Sequence, residues 1–371
     1  MHGTILFAGG GTGGHLYPGV SVAQALLRRY PDANPLFLCT KRAIDETILT
    51  PTRLPFVKQP IVPLVKSVGG LLSFWKAYRE TLDLIKQTVR ERKPAAVLGL
   101  GGYAAWPAVK YCAERGIPAA LINPDVVPGK ANQVLFKRAR RVFCQFEATR
   151  QHVPAGQHEK LVVTGCPVRD DLCTPSRDDA AKRLGLDPRL QTLTITGASQ
   201  GAQTVNEAVL ESIKTAKLQG WQILHLAGKD HAESVRAAYR ELGLSAAVVD
   251  FTPGMADVWA VTDLTVSRSG ASTCAELTAC GIPSLLMPYP FHKDMHQRAN
   301  AQALVDAGAA VLIDDAKDRK QNADRLRPKL ESLLYDAPKR QAMAAAAKAI
   351  GRPDASDAVA AELATLAGLT G

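Results

Sequence analysis

The apolar positions of the chain form short uninterrupted runs that alternate with longer runs of helical period. The first short run, residues 4–8, precedes a glycine-rich loop, and residues 17–30 then have the pattern of a helix. Residues 73–92 repeat apolar side chains close to the 3.6-residue period of a helix. This alternation predicts an α/β fold built on doubly wound parallel sheets.

The same alternation restarts in the second half of the chain, and turn residues with clustered charges place the boundary near 164–190. We therefore predict a first domain over residues 1–164 and a second over residues 165–340. Residues 341–371, which include an alanine-rich run of high helix propensity, are predicted to form a C-terminal helix that packs back on the first domain. The predicted strands are residues 4–8, 35–40, 95–99, 118–123, 190–196, 221–228, 246–251, 264–270, 283–289 and 309–315.

Length and composition agree with this two-domain organisation. The chain has 371 residues, of which 46% are hydrophobic and 22% charged, so intrinsic disorder is not expected. No apolar run approaches the roughly 20 residues that span a bilayer, and the N-terminal stretch lacks the features of a secretion signal. The seven cysteines contain no CxxC pair, which argues against zinc clusters and a disulfide framework and fits a reducing cytoplasm.

The excess of positive charge is confined to the first half of the chain. Residues 1–164 contain 22 Lys and Arg against 10 Asp and Glu, a net +12, whereas the remaining residues contain 23 against 25, a net −2. Such asymmetry favours a polyanionic partner, either nucleic acid or an anionic membrane face. A solvated basic surface is the alternative. No nucleic-acid recognition motif is present, so nucleic acid is not expected as a partner.

Two glycine-rich loops stand between a strand and a helix. Gly9, Gly11 and Gly14 match the GxGxxG pattern of dinucleotide sites, but the second strand ends in Lys41 and Arg42 instead of the acid that NAD requires. NADP stays open on this pattern alone. The second loop, residues 197–202, predicts a second phosphate-bearing ligand, because one dinucleotide needs only one such loop. Simple tight turns are the alternative for either loop.

Six motifs together resemble the MurG family of N-acetylglucosaminyltransferases. They follow the family order through about residues 3–315 and are GGGTGGHLYPG at 9–19, GLGGYAAWPA at 99–108, VTGCPVRDD at 163–171, TGASQGAQTVNE at 196–207, VSRSGASTCAEL at 266–277 and MPYPFHKDMHQRANA at 287–301. The resemblance implies a GT-B fold, in which two Rossmann-like domains face a cleft. It also implies inverting transfer from UDP-N-acetylglucosamine (UDP-GlcNAc) to the muramic acid 4-hydroxyl of lipid I, giving lipid II in peptidoglycan synthesis, with no metal or other cofactor required.

Two segments depart from the family pattern. Residues 122–125, Ile-Asn-Pro-Asp, stand where the family has His-Glu-Gln-Asn, and Cys166 replaces an asparagine. These departures put the family's polar contacts to the donor sugar in doubt, although Asn123 or Asp125 could replace them. They could also mark an altered acceptor or a weakened enzyme.

His15, at the end of the first glycine loop, is the first candidate for the catalytic base. An unperturbed imidazole pKa near 6.5 suits proton transfer around neutral pH. Two other roles stay open for His15, a contact to the lipid I pyrophosphate and a structural contact at the start of the helix. Asp125 is the second candidate base.

The resemblance assigns the UDP-GlcNAc site mainly to the second half of the chain. Arg169 would contact the donor phosphates, with an interdomain salt bridge as the alternative, and Glu276 would accept the ribose hydroxyls, with a helix-dipole role as the alternative. Thr252 would contact uracil, and His296 and Gln297 the sugar. The full predicted set is Thr12, Gly13, Gly14, Asn123, Arg169, Ser199, Gln200, Thr252, Ser269, Gly270, Ala271, Ser272, Thr273, Glu276, His296, Gln297 and Asn300.

The acceptor and membrane residues are predicted in the first half. Apolar side chains at residues 71–78 stand beside cations, the pattern of an interfacial segment, unless the aromatic rings face the core. The expected location is peripheral, on the cytoplasmic face of the cell inner membrane, with lipid I, an anionic lipid surface and other cell-wall synthesis proteins as candidate partners. The predicted set is Gly10, Gly11, Gly101, Gly102, Tyr103, Leu71, Leu72, Phe74, Trp75, Lys76, Lys137 and Arg140.

Three other functions stay open on the sequence alone. Another GT-B enzyme could glycosylate a membrane lipid such as diacylglycerol. A weakened family member could serve as a scaffold for wall synthesis. Epimerases of the same fold act on UDP-GlcNAc without an acceptor.

Overall fold

The protein was analysed as a computed structural model, which describes residues 3–65, 67–197, 201–291 and 294–369. It consists of two units, one formed by Met1–Arg169 with Pro353–Gly371 and the other by Asp170–Arg352. The boundary therefore follows residue 169, where the sequence placed it after residue 164. Each unit contains one parallel sheet.

The sheet of the first unit has seven strands in the order β3-β2-β1-β4-β5-β6-β7, and every described pair is parallel. The strands are β1 (Thr4–Ala8), β2 (Asn34–Cys39), β3 (Phe56–Lys58), β4 (Ala96–Gly99), β5 (Ala119–Asn123), β6 (Arg141–Cys144) and β7 (Leu161–Val163). The α-helices between them are α1 (Gly13–Arg29), α2 (Ala43–Leu49), α3 (Val68–Arg92), α4 (Gly102–Glu114) and α5 (Lys130–Leu135).

The second unit repeats this plan with a six-stranded sheet in the order β10-β9-β8-β11-β12-β13. Its strands are β8 (Gln191–Thr196), β9 (Trp221–Leu226), β10 (Ala246–Val249), β11 (Leu264–Ser267), β12 (Ser284–Leu286) and β13 (Ala310–Leu312). Its helices are α6 (Arg177–Leu184), α7 (Gln203–Ser212), α8 (Ala232–Glu241), α9 (Met255–Val261), α10 (Ala271–Cys280), α11 (His296–Asp306), α12 (Arg319–Tyr335) and α13 (Ala337–Ile350).

The central strands of both sheets are buried on both faces, which explains their continuous apolar runs. All five residues of β1 are buried, as are all four of β4 and of β11. Every strand predicted from such a run is present. Strands β3, β6 and β7 are not among the predicted strands; β3 and β7 are only partly buried, so the core constrains their residues less.

The C-terminal segment is divided between the units. Helix α13 belongs to the second unit and ends at Ile350. Helix α14 (Ala355–Ala367) belongs to the first unit, where Val359 and Leu363 are buried and pack with α1. The single helix predicted over 341–371 is thus two helices. Gly351 and Pro353 separate them, since proline has no N–H group for helical bonding and disfavours helix at the preceding residue.

Both strand orders reverse direction at one point, between β1 and β4 in the first sheet and between β8 and β11 in the second. In open parallel sheets ligands bind at the carboxyl ends of the strands beside this point. The two glycine loops follow β1 and β8, so the fold puts both at this position. No helix in the described part of the chain is both long and apolar enough to cross a membrane.

Candidate active site

The first glycine loop is fastened by a buried carboxylate on α2. Asp45 is fully buried and accepts hydrogen bonds from the Gly11 amide at 2.7 and 2.9 Å and from the amide and hydroxyl of Thr40 at 2.8 and 2.7 Å. Arg42 donates from Nη1 to the Gly11 carbonyl at 3.0 Å. A Cβ at Gly10 would collide with Asp45 Oδ2, so glycine is required there. The loop is therefore anchored at Gly11 through both its amide and its carbonyl.

His15 lies in the first turn of α1, with its ring against the start of α4. An added Cβ would come within 3.1 Å of the ring at Gly101 and 3.0 Å at Gly102, and both residues have positive φ. His15 Nδ1 lies 3.1 Å from Thr12 Oγ1. The loop after β1 and the loop after β4 thus meet around one imidazole, with Gly101 and Gly102 against the ring. The acceptor role of Gly10, Gly11, Gly101 and Gly102 stays a prediction.

Burial lowers the pKa of His15 below its ordinary value of 6.5. The charge of Asp125 opposes this shift most, followed by a hydrogen bond to the Gly10 backbone and the charge of Asp45. A lowered pKa keeps the imidazole neutral at neutral pH, the state in which it can accept a proton. Tyr103, also predicted here, lies close to Gly11, and burial raises the pKa of its phenol.

The departing segment at 122–125 forms an internally bonded turn. Asn123 is buried; its Nδ2 donates to the Asp125 carbonyl at 2.8 Å, and its Oδ1 accepts from Asn132 Nδ2 at 3.1 Å. The amide of Asn123 is therefore occupied in holding the turn. Its predicted contact to the donor would require these bonds to exchange, whereas the side chain of Asp125 remains partly exposed.

The helices that begin at the predicted ligand loops lack the usual capping groups. Within the described residues, α1, α4 and α10 have neither a side-chain cap nor an acidic residue in the first turn. Helices α5, α7 and α11 share this uncapped start, whereas α6 is capped by Ser176 and α12 by Asp318. Uncapped N–H groups and the positive end of the helix dipole together bind anions. Thr12, Gly13 and Gly14 lie at such an end, on α1.

Arg169 belongs to the first unit, although the sequence placed it in the second domain. Its guanidinium lies 5.6 Å from the centroid of the Tyr17 ring on α1. The neighbouring Val168 carbonyl accepts a hydrogen bond from Ser356 Oγ at 3.0 Å, which anchors this segment to α14.

Ser269, Gln297 and Asn300 form one hydrogen-bonded cluster in the second unit. Ser269 Oγ donates to the Gln297 carbonyl at 2.8 Å, and Asn300 Nδ2 donates to the Ser269 carbonyl at 3.3 Å. Gln297 Oε1 accepts from the Tyr289 amide at 2.9 Å. The cluster fixes the loop that leads into α10 against the first turn of α11. The donor-binding role of these residues stays a prediction.

Glu276 lies in the second turn of α10, where Trp259 Nε1 on α9 donates to its Oε2 at 2.8 Å. Thr252 Oγ1 accepts from the Gly254 amide at 3.0 Å in the turn before α9. The predicted uracil turn and the predicted ribose carboxylate are thus linked through α9. His296 Nδ1 lies 2.7 Å from Asp294 Oδ1. Ser199 and Gln200 lie outside the described residues.

Sequence analysis missed two buried charged residues, Asp45 and Arg268. Arg268 precedes the α10 loop and donates from Nη1 to the carbonyls of Met287 and Pro288 and to Asp315 Oδ2, at 2.8–3.0 Å. Its Nη2 donates to Thr204 Oγ1 at 2.7 Å. Arg268 is inside a quoted motif, but no local pattern separates a buried arginine from an exposed one. Asp45 bonds to Thr40 only five positions away, but its contact to Gly11, 34 positions away, has no local signal.

The predicted membrane residues lie on α3 and beside α5, and both helices pack against α4. Leu71, Leu72 and Trp75 are exposed, together with Lys76. Phe74 is only partly exposed and stacks on the buried Tyr78, whose ring centroid lies 5.0 Å from that of Trp106. One aromatic face of α3 is therefore core, and the other is surface. Lys137 and Arg140 are exposed after α5.

Comparison with known proteins identifies the family. Residues 5–144 match the glycosyltransferase family 28 N-terminal domain and residues 192–359 its C-terminal domain. A protein of Desulforudis audaxviator named UDP-N-acetylglucosamine--N-acetylmuramyl-(pentapeptide) pyrophosphoryl-undecaprenol N-acetylglucosamine transferase is 34% identical over 98% of both chains. A protein of the same name from Desulforamulus reducens is 33% identical over 94% of this chain and 95% of its own.

Solved structures share the fold at lower identity. The Acinetobacter baumannii MurG crystal structure has a TM-score of 0.77 and 24% identity, and covers 98% of this chain and 99% of its own. A Neisseria meningitidis UDP-GlcNAc 2-epimerase bound to UDP-GlcNAc has a TM-score of 0.67 and 14% identity, and covers 98% of this chain and 100% of its own. The two parallel-sheet units are those of the GT-B fold, and the chain belongs to glycosyltransferase family 28 and, within it, to the MurG family.

Proposed function

We propose that the protein transfers N-acetylglucosamine from UDP-GlcNAc to the 4-hydroxyl of the muramic acid of lipid I, which gives lipid II for peptidoglycan synthesis. The observation that carries this proposal is the nearly full-length similarity, above 30% identity, to relatives named for that transfer. The enzyme is accordingly a hexosyltransferase with UDP-GlcNAc as donor.

The second unit supplies the donor site in this proposal. The uncapped start of α10, residues 270–273, offers amides and a positive dipole end to the diphosphate. Glu276 accepts hydrogen bonds from the ribose hydroxyls, with its carboxylate oriented by Trp259. Thr252 and its turn contact uracil, and His296 and Gln297 contact the sugar. Ser269 and Asn300 are both fully buried, and their hydrogen bonds fix the loop before α10 against the start of α11.

The first unit supplies the base. With Nδ1 protonated and donating to Thr12 Oγ1, His15 presents the lone pair of Nε2. The acceptor oxygen attacks the anomeric carbon opposite the diphosphate, and its proton passes to Nε2. The bond from that carbon to the phosphate oxygen breaks, and its electron pair leaves with UDP, so the configuration inverts. Developing negative charge is stabilised by the start of α10 and by Arg169.

His15 and Asp125 have alternative roles that use different chemistry. His15 could instead donate a hydrogen bond to the lipid I pyrophosphate, in which case the protonated ring would be the active form. Asp125 would then serve as the base. The pH profile separates these roles, because a base loses activity as pH falls through its pKa and a cationic phosphate contact loses it as pH rises.

The exposed apolar residues of α3 and the cations beside α5 support docking on the cytoplasmic face of an anionic membrane, where the lipid acceptor resides. Apolar side chains flanked by cations give the two signals that interfacial binding requires. Binding to anionic vesicles should fall steeply with salt and with Lys76→Glu, but little with Lys182→Glu, an exposed lysine of the second unit. Equal binding to neutral and anionic vesicles would contradict docking of this kind. Other cell-wall synthesis proteins remain candidate partners.

The decisive experiment incubates the protein with UDP-GlcNAc alone, with a short-chain lipid I analogue and with diacylglycerol, and measures UDP release and product mass. We expect UDP release and a disaccharide lipid only with the lipid I analogue. Epimerised sugar from donor alone would reassign the protein to the epimerases, and glycosylated diacylglycerol to lipid glycosyltransferases. No turnover in any arm, from protein that binds UDP, would favour a scaffold. We further propose that no metal is required, so a chelator should leave the rate unchanged.

A further inference from the structure

Two cysteines face each other on the second unit, far from each other in the sequence. Cys280 is the last residue of α10 and Cys173 lies in the turn at residues 170–173; their Sγ atoms are 3.4 Å apart. Cys280 Sγ also contacts the carbonyl of Leu172 at 3.8 Å, and the side chain of Leu172 is buried. The turn is therefore held against the end of the helix with the two sulfurs in contact.

The pair differs from the other cysteines in access to solvent. All seven cysteines lie in the described part of the chain; Cys173 is exposed and Cys280 partly exposed, and the other five are buried. Burial raises the pKa of Cys39, Cys112 and Cys144 to about 12, so their thiols stay protonated and unreactive. A reagent in solution reaches Cys173 first.

The surroundings of the pair favour a thiolate at Cys173. The hydrogen bond from the Cys280 thiol lowers the pKa of Cys173 to about 7; burial and the charge of Glu276 oppose this, and Lys348 supports it. The Lys348 side chain lies against Gly281, where an added Cβ would be 2.5 Å from its Cε. The same contact and burial raise the pKa of Cys280. Cys173 is thus the thiol that reacts first, and Cys280 reacts second.

We propose that Cys173 and Cys280 form a redox-active dithiol that low-molecular-mass disulfides convert reversibly into an intramolecular disulfide. The Cys173 thiolate attacks one sulfur of the small disulfide, forms a mixed disulfide and releases one small thiolate. Cys280 then loses its proton to solvent and attacks Cys173 Sγ, which releases the second small thiolate. The two protein thiols are oxidised by two electrons, and the small disulfide is reduced to two thiols. Excess small thiol reverses both steps.

The structural change that this oxidation requires is small. A disulfide has a sulfur–sulfur distance of about 2.05 Å, so the two atoms must approach by about 1.4 Å. Cys173 stands in an exposed turn, which can absorb such a shift. The bond would link residues 107 apart and so restrict the unfolded chain, which raises thermal stability. Neither sulfur has a role in the proposed transfer reaction, so the dithiol can be tested independently of that reaction.

The test uses the full-length reduced protein in buffers that range from reduced to oxidised glutathione. Samples are alkylated and digested, and the peptides are identified by mass spectrometry. We expect a cross-linked peptide pair that contains Cys173 and Cys280 and returns to free thiols in excess reduced glutathione. Cys280→Ser should stop at a glutathione adduct on Cys173, and Cys173→Ser should react far more slowly at Cys280. An adduct on Cys173 of the unmodified chain without a cross-link, or cross-links that involve other cysteines, would overturn the proposal.

Thermal unfolding provides the second measurement. Oxidation should raise Tm in the unmodified chain and leave it unchanged in Cys173→Ser and Cys280→Ser, both of which should retain UDP binding as a check on folding. A Tm that falls on oxidation of the unmodified chain would mean that the bond is strained, and would contradict a site formed for it. Neither the peptide mapping nor the Tm measurement depends on transfer activity. Both can therefore be interpreted even if the proposed function is wrong.

Discussion

The first glycine loop and the loop that leads into α10 are each held by a buried charged residue, and the two residues have opposite charges. Beneath the first glycine loop the fully buried Asp45 carboxylate accepts from the Gly11 amide and from Thr40. Beneath the loop that leads into α10 the buried Arg268 guanidinium donates to the Met287 carbonyl and pairs with Asp315. The first loop follows β1 and the second follows β11, so they lie after different strands of the repeated order, on the two sides of the point where that order reverses.

This difference in charge matches the chemistry proposed for each unit. The charge of Asp45 acts to raise the pKa of His15, together with that of Asp125, and so favours proton uptake at the first loop. Arg268 is neutralised by Asp315 and leaves the uncapped start of α10 to attract a diphosphate. In the proposed reaction the first glycine loop therefore carries the proton acceptor, and the loop that leads into α10 binds the diphosphate anion.

The largest expected effect comes from His15→Ala, which removes the proton acceptor from the first loop. General base catalysis contributes roughly 10²- to 10⁴-fold, so kcat should fall within that range. UDP affinity should remain close to that of the unmodified chain, because the donor site is proposed in the other unit. Steady-state kinetics and calorimetry of UDP binding test both parts. An unchanged kcat would remove His15 from the mechanism.

Arg268→Met should cause the largest loss of stability. It leaves the Asp315 carboxylate buried without its cation, and breaking a buried ion pair in this way costs about 3–5 kcal/mol. Denaturant unfolding of the second unit measures this cost. The double variant with Asp315→Asn should recover part of it, because the buried charge is then gone. If the single and double variants lost the same stability, the pair would not be the reason for the loss.

Asp45→Ala should destabilise the protein less than Arg268→Met does, and it should also lower activity. It leaves the Gly11 amide and the amide and hydroxyl of Thr40 without their acceptor, at about 1–3 kcal/mol for a buried unsatisfied group. kcat should also fall, because the loop that holds His15 is released. Thr47→Ala, an exposed change on the same helix, is the matched control and should alter neither quantity. Full activity in Asp45→Ala would show that the loop does not need this anchor.

Glu276→Ala should weaken UDP binding several-fold, because the carboxylate proposed to hold the ribose is lost. Glu276→Gln should weaken it less, since one oxygen still accepts from Trp259. Calorimetry with UDP and with uracil separates the ribose contribution, and binding of uracil should not change. Undiminished UDP affinity in Glu276→Ala would place the ribose elsewhere.

The smallest expected effect concerns pH. Burial lowers the pKa of His15, so kcat should fall only as pH drops through a value below 6.5 and should not fall from this group as pH rises. Asp125→Asn removes the charge that opposes this lowering most, so the acidic limb should move to lower pH. A limb that moved upwards would contradict the electrostatic coupling of the two residues. If kcat were lost as pH rises through the pKa of His15, the ring would act as a cation.

The residue pattern alone predicts two doubly wound parallel sheets and a glycine loop after the first strand of each. Strands such as residues 4–8 and 264–267 are recognisable because both of their faces are buried, so every residue in them is selected by the core. The site motifs are similarly local, since a strand, a glycine turn and a helix start are contiguous in the chain.

Which of those residues are held by buried charge depends on contacts between distant parts of the chain. Asp45 and Gly11 are 34 positions apart, Arg268 and Asp315 are 47 apart, and Cys173 and Cys280 are 107 apart. The tertiary structure also divided the C-terminal segment between the units and turned Tyr78 inward while Trp75 faces outward. Hydrogen bonds and ion pairs of this kind depend on how strands and helices pack across the fold, and no periodicity along the chain encodes them.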